Sequence, residues 1–242
     1  MGESEDRAIS RRDRQRQVTL DEITSSAQRQ LTEHGVRGFS LRAVAREVGL
    51  TPSAIYRYYD SQTALVSAVA LTAYEQATDA LRTAADLTAG QHTRGRLEAV
   101  FTAYRAWALT HPGEFELLFA TDQSLLRADE PAPSDPANLH RLYQVPLEVL
   151  ADGIGRGEVA CAPEAATGPQ ALTRPAAAVR REVAERTGHE VGEEPCLAMV
   201  SAWVSVHGYV ALDLYGHLGA FLVDRKACFR RHLGAVLDTL GV

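Results

Sequence analysis

Lysine is nearly missing from this chain. Lys226 is the only one, and arginine carries the rest of the positive charge. Cysteine is also scarce: Cys161, Cys196 and Cys228 are odd in number, far apart and never in a C-x-x-C pair. That argues against a disulfide framework or a thiolate zinc site and fits a reducing, cytoplasmic setting. Excess positive charge is absent too. A net charge of −6 argues against a protein whose whole surface binds nucleic acid. The N-terminus lacks the apolar run of a secretory signal. The most apolar stretch, Ala198–Tyr215, is interrupted by His207 and Asp213 and reads as a buried helix rather than a membrane span.

Catalytic signatures are missing as well. There is no G-x-S-x-G elbow, no H-E-x-x-H and no E-x-x-H pair of the kind that builds a di-iron bundle. His207 and His217, ten residues apart, would point about 80° apart on a helix and make a poor metal pair. Gly153, Gly155 and Gly157 have the wrong spacing for a phosphate loop and no preceding strand, so they read as a helix terminus. No catalytic residue, metal ligand or cofactor is indicated.

What the chain does have is concentrated between Phe39 and Leu65. Ser40 is a suitable N-cap for a helix whose apolar face is Leu41, Val44, Ala45 and Val48, and Gly49 stands where that helix should stop. After the turn Gly49-Leu50-Thr51, Thr51 caps a second helix with Pro52 at its first position. Leu50 and Ile55 point inward. Pro52, Ser53, Ala54, Arg57 and Tyr58 are left to look outward. Two short helices held across each other by a glycine-containing turn are a helix-turn-helix, and the second helix suits a DNA major groove.

The charge distribution agrees. Residues 1–60 hold ten Arg against nine acidic residues, whereas the remainder holds fifteen basic against twenty-two acidic. The N-terminal part is the only one not strongly anionic, as expected of a small DNA-reading domain on an acidic partner. Residues 1–17 read as a disordered basic arm bearing Arg11, Arg12, Arg14 and Arg16, either a solvated tail or a phosphate-touching extension. Thr19 and Glu22 form a capping box predicted to open the first helix, whose inner face is Leu20, Ile23, Ala27 and Leu31 and whose end is Gly35.

Ile23, Ala27, Leu31, Gly35, Ser40, Leu41, Arg42, Val44, Ala45, Arg46, Glu47, Gly49, Leu50, Thr51, Ile55, Tyr56 and Leu65 together resemble the pattern of the TetR family of bacterial transcriptional regulators. The match covers residues 18–66 without gaps. Three departures stand out: Ser53 for a usual glycine, Tyr58-Tyr59 for a usual His-Phe, and Gln62 for a lysine that commonly touches phosphate. The resemblance implies a homodimer on double-stranded operator DNA. Ser40, Arg42, Thr51, Tyr56, Tyr58 and Gln62, with Arg57, would hold the backbone. Pro52, Ser53 and Ala54 would face the bases. This helix is poor in long polar side chains, so small-residue contacts such as Ala54 or Pro52 on thymine methyls, plus a Ser53 hydrogen bond, would do the reading.

The expected architecture is all-α: a helix-turn-helix domain over 18–62 and a helical ligand-binding and dimerisation domain over 63–242. Asp60 or Ser61 should cap a linking helix to about Ala85. Phe101, Tyr104, Trp107, Phe115, Phe119 and Tyr143 lie in the helices that usually surround the family's ligand cavity, and either line one or form plain core. Trp203-x-x-x-His207-Gly208 is similar to the W-H-G signature of one C-terminal domain type in such regulators, and its spacing would let the two rings stack. A Pro-rich loop is expected near 129–136, a kink at Pro146, an irregular connection over 158–175 and a helix over 176–186. Glu194–Leu218 is apolar nearly all round. Val200, Val204 and Leu214 on it, with Phe229, Leu233, Val236, Leu237 and Leu240 on the last helix, would pair across a two-fold axis. The alternative is a monomer with a central hairpin.

Three functions are compatible with this sequence. The first is a regulator, by family habit a repressor, released by a small hydrophobic or aromatic effector. The second is a constitutive DNA-binding regulator. The third is a small-molecule-binding or enzymatic helical protein with a vestigial DNA-binding domain.

Overall fold

The computed structural model describes residues 11–119, 136–159 and 174–242, and these are all helix, turn or connection. The Pro-rich loop near 129–136, except Pro136 itself, and most of the 158–175 connection, with Cys161, lie outside the described residues. Among the described residues ten α-helices follow in order: α1 Arg11–Gly38, α2 Leu41–Glu47, α3 Pro52–Ile55, α4 Gln62–Leu87, α5 Thr93–Thr110, α6 Pro112–Phe119, α7 Pro136–Gly155, α8 Arg174–Thr187, α9 Glu193–Leu214 and α10 Arg225–Asp238. The chain forms two compact units, one within Met1–Thr72 and Gly113–Pro133, the other within Ala73–Pro112 and Ser134–Val242.

In the first unit, Ile23, Ala27 and Leu31 of α1 are buried with Val44, Ala45, Ile55 and Leu65. Helix α1 does not begin at the Thr19 capping box. It is already helical at Arg11, and the Thr19 hydroxyl donates back to the Gln15 carbonyl at 3.1 Å, as a residue inside a helix does. The expected disordered arm is therefore helical from Arg11 through Gln17; residues 1–10 lie outside the described part. Gly35 ends the regular helix as expected, because its φ of 65° breaks the run.

Helix α6 joins this first unit. Gly113 sits so close to Thr32 that a Cβ there would meet the Thr32 Cα at 2.5 Å. The Gln28 amide donates to the buried Glu114 carboxylate at 2.8 Å. Only glycine permits that approach, so the α5–α6 junction is one of the places where the chain crosses between units. Helix α4, capped by Ser61 through the Ala64 amide at 2.9 Å, is another.

The second unit is a helical bundle. Thr93, at the start of α5, donates from both its amide and its hydroxyl to Glu158 Oε2, each at 2.7 Å. These bonds, Thr93's first, hold the Glu158 carboxyl below its usual range. Gly153 of α7 gives Thr93 room, since a Cβ at 153 would lie 2.2 Å from its hydroxyl. Helix α7 runs through Pro146 and stops at the glycines, and α8 occupies the segment where a helix was expected. Helix α9 ends at Leu214, four residues earlier than its apolar run suggests, because Gly216 takes φ 77° and starts a single 3-10 turn, His217–Ala220.

Helix α9 is long and apolar enough to cross a membrane by length and composition alone. Its details are those of a core helix. Cys196, Met199, Ala202, Trp203, Val206 and Val210 are buried within the unit. The Asp213 carboxylate, fully buried, accepts from Arg105 at 2.9 Å and from Arg225 at 2.9 Å. Arg105 in turn lies over the Phe229 ring, 5.2 Å from its centroid. A buried carboxylate keeps its charge only where a buried counter-charge meets it, and Arg105 is the more buried of the two partners.

Candidate functional site

The α2–turn–α3 segment is built by local chemistry. The Ser40 hydroxyl accepts from the Ala43 amide and starts α2. At the other end Gly49 takes φ 69°, Leu50 N–H reaches the Ala45 carbonyl at 2.8 Å, and Gly49 N–H bonds Arg46. That pair of bonds is a Schellman closure, and it needs the left-handed residue at position 49. The Thr51 hydroxyl accepts from the Ala54 amide at 3.2 Å and opens α3 with Pro52 at its first position. Bonds from Arg57, Tyr58 and Tyr59 back to Ala54 and Ile55 carry the helical turn to Tyr59.

Side chains then brace this unit to α1. Glu47, at the end of α2, accepts from Ser26 at 2.7 Å and from Arg29 Nε at 2.9 Å. The Ser26 bond, then Arg29, lowers the Glu47 carboxyl below its ordinary value. Beyond α3, Tyr59 Oη lies 2.7 Å from Thr24 Oγ1. The Thr24 hydroxyl already donates to the Leu20 carbonyl, so Tyr59 is the donor in that pair. Tyr58 lies under Arg16, whose Cζ is 5.3 Å from the ring centroid and whose guanidinium reaches the Arg57 carbonyl at 3.5 Å.

With Ile55 wholly buried, the opposite surface is left to solvent. Arg42, Thr51, Pro52, Ser53, Arg57 and Gln62 are exposed, and Ser40, Ala54 and Tyr58 are half-buried. Tyr56 is 51% exposed and faces solvent with them. Ser53 Oγ lies 3.0 Å from Thr51 Oγ1, which orients its hydroxyl at the start of α3. Nothing local in the sequence marks Arg16, Thr24, Ser26 and Arg29 as braces. The signal for two of them is the unusual Tyr58-Tyr59 pair, each member of which finds a partner on α1.

In the second unit the aromatic residues divide. Phe101 and Tyr104 are fully buried and lie 6.4 and 4.8 Å from the Trp203 ring. Tyr104 stacks on His207, the place the sequence offers to Trp203, and Tyr104 Oη is 2.7 Å from His207 Nδ1. Trp107 stacks on His111, and its buried indole N–H has no hydrogen-bond partner among the described residues. Tyr143 donates to the Cys196 carbonyl at 2.7 Å. Phe115 and Phe119 pack on one another at 4.9 Å in the first unit. Gly113 and Glu114 tie α6, which carries both rings, to α1.

The supposed dimer residues also divide. Phe229, Leu233, Val236, Leu237 and Leu240 are buried inside their own chain, so the apolar stripe of α10 is spent within the unit and is not available to a partner. Periodicity showed an apolar face without showing what it covers. Val200 and Val204 differ, at 40% and 64% exposed, and Leu214 is half-buried. Gly208, one turn after Val204, has nothing within 4 Å of where a Cβ would stand.

An exposed short helix, seated by a glycine turn and braced on a preceding helix, defines a helix-turn-helix DNA-binding protein. Residues 23–69 match the model of the bacterial regulatory proteins of the tetR family, and residues 97–236, more than half the chain, match the tetracyclin repressor-like C-terminal domain. The chain belongs to the TetR family of transcriptional regulators. It is 29% identical over 224 residues, 92% of each chain, to the HTH-type transcriptional regulator Rv1816 of Mycobacterium tuberculosis. Its fold is similar to that of a protein with unknown function from Rhodococcus sp. RHA1, with a TM-score of 0.66 at 19% identity over 99% of this chain and all of that one. It is also similar to Bacillus subtilis FadR in complex with stearoyl-CoA, with a TM-score of 0.59 at 13% identity over 90% of this chain and 98% of that one.

Proposed function

We propose that this regulator is a cytoplasmic repressor that binds a palindromic operator as a homodimer and is released by a small hydrophobic or aromatic effector. The observation that carries the DNA part is the exposed α3 start, with Pro52, Ser53 and Ala54 between the backbone-facing candidates Arg42, Thr51, Tyr56, Arg57, Tyr58 and Gln62. One such helix reads only a few base pairs, and a two-fold pair set about 34 Å apart reads a palindrome. The exposed Val200 and Val204 on α9, beside the open Gly208, support the pairing.

The effector part rests on the Phe101–Tyr104–Trp203–His207 cluster and the unpaired indole N–H of Trp107. An apolar group with a buried donor left over is what a largely apolar ligand with one acceptor would satisfy. Bacillus subtilis FadR, a fold neighbour, forms a complex with stearoyl-CoA, which supports a ligand with an apolar chain for this one. Any effector must favour a conformation in which the two recognition helices no longer match their grooves. The covalent crossings at α4 and at the α5–α6 junction are the routes for that change.

The test is retention of genomic fragments by the purified protein, followed by sequencing. Enrichment of one short palindrome is the expected result. Release of that fragment by an apolar metabolite supports the inducible repressor. Tight, metabolite-independent retention would leave the constitutive regulator, and retention without a common sequence would overturn operator recognition.

A further inference from the structure

We propose that the first turns of α1 are a second phosphate-binding element, in which Arg11 and Arg12 hold the DNA backbone beside the recognition helix. The inference rests on the DNA-binding reading above. Beside Tyr58 lies an open cleft of about 770 Å³. Arg11, Arg12, Gln15 and Arg16 of α1 form one wall, and Arg57 and Tyr58 form the other. At 100° per residue, positions 11, 12, 15 and 16 share one face of a helix, whereas Arg14 falls outside it. Among the described residues, Asp13 is the only carboxylate on the cleft, set against four guanidiniums.

The cleft is positioned by contacts rather than left to a loose tail. Arg16 stacks on Tyr58 and reaches the Arg57 carbonyl, so the start of α1 is fastened to the residues that directly follow α3. Arg11 lies five residues earlier, about 7.5 Å along the helix axis. Four guanidiniums against one carboxylate leave the described lining of the cleft with a positive excess that attracts an anion. In a chain of net charge −6, such a gathering at the recognition helix matches the polymer that helix approaches. Guanidinium groups suit phosphodiester oxygens because their planar donors meet two oxygens at once.

The experiment uses the full chain and a duplex that the wild type retains from genomic DNA. Its dissociation constant is measured against KCl concentration for the wild type, Arg11→Ala/Arg12→Ala and Arg14→Ala. The double variant should lower the slope of log affinity against log salt by about 1.8 per bound subunit, at about 0.9 for each phosphate no longer neutralised. That is a roughly 10-fold smaller loss of affinity across a fourfold rise in salt, with base preference unchanged. Arg14→Ala, which removes the same kind of charge away from the cleft, should leave the slope nearly as in the wild type. An unaltered slope in the double variant, or an equal change from Arg14→Ala, would overturn the inference while leaving operator recognition standing. A wild type that retains no common sequence would overturn both.

Discussion

Tyr104 on α5 and His207 on α9 meet through Oη and Nδ1 at 2.7 Å, with their rings stacked, in the interior of the second unit. Burial pushes the Tyr104 phenol well above its ordinary value, so it stays protonated. Burial pushes the His207 imidazole down, so it stays neutral. A group whose folded value is depressed in this way makes folding depend on pH with a definite sign. Above about 6.5, the ordinary histidine value, both folded and unfolded chains hold it neutral. As pH falls below that, the unfolded chain gains a proton that the folded one refuses, and stability is lost until the folded value is reached. Urea midpoints at pH 7.5 and 5.5 should therefore differ by less in His207→Phe than in the wild type. An equal pH dependence in the two would remove His207 as the source.

The same pair sets the cost of two substitutions. Tyr104→Phe takes one hydrogen bond from a buried imidazole and should cost about 1–2 kcal/mol in urea unfolding. Trp203→Ala empties the space between Phe101 and Tyr104 and should cost about 3–5 kcal/mol. If the cluster opens to admit an effector, Trp203→Ala should also change effector affinity more than Tyr143→Phe does.

Asp213 makes a sharper case. Its carboxylate is fully buried between Arg105, 14% exposed, and Arg225, 48% exposed. Asp213→Ala leaves the Arg105 charge buried without its counter-ion and should cost about 3–5 kcal/mol. Arg225→Ala removes the more exposed partner and should cost about 1 kcal/mol or less. Equal losses from the two would show that Arg105 does not depend on the carboxylate.

At the DNA surface, Ser53→Arg should alter which base pairs are preferred, because Ser53 stands exposed at the start of α3 beside Thr51. Arg42→Ala should weaken binding about equally on all sequences and reduce the salt slope by about one. Binding-site selection with each purified variant separates the two effects. A Ser53→Arg protein with the wild-type preference would remove Ser53 from base reading.

These effects lie where local chemistry was legible and where it was not. The α2–turn–α3 segment could be read because Ser40, Gly49, Thr51 and Pro52 act on backbone within five residues of themselves. The start of α1 could not, because what holds it includes Arg16 on Tyr58, forty-two positions away, and the Thr19 capping box gave a false start. The allegiance of α6 was equally hidden, since it turns on Gly113 meeting Thr32 across a gap of eighty-one positions. Aromatic residues could be assigned to an interior but not to one compact unit or the other. Apolar periodicity on α9 and α10 showed faces to be covered, yet only the packed chain shows that α10 is already covered and part of α9 is not.

That last distinction gives a test of the dimer. Leu237 is fully buried in its own chain, so Leu237→Ala should cost about 2–5 kcal/mol of stability. It should change association little while the protein remains folded. Val204 is 64% exposed, so Val204→Arg should leave the fold of the isolated subunit nearly unchanged. If α9 packs on its copy, that same arginine is driven against a second arginine across the two-fold axis, in an apolar seam where like charges cannot be screened. Light scattering at micromolar concentration should then show the wild type at twice the chain mass and Val204→Arg at the chain mass, with operator affinity falling because one recognition helix no longer carries the other. A Val204→Arg protein that stays dimeric would place the interface elsewhere on the second unit, and a wild type already at the chain mass would end the two-fold model.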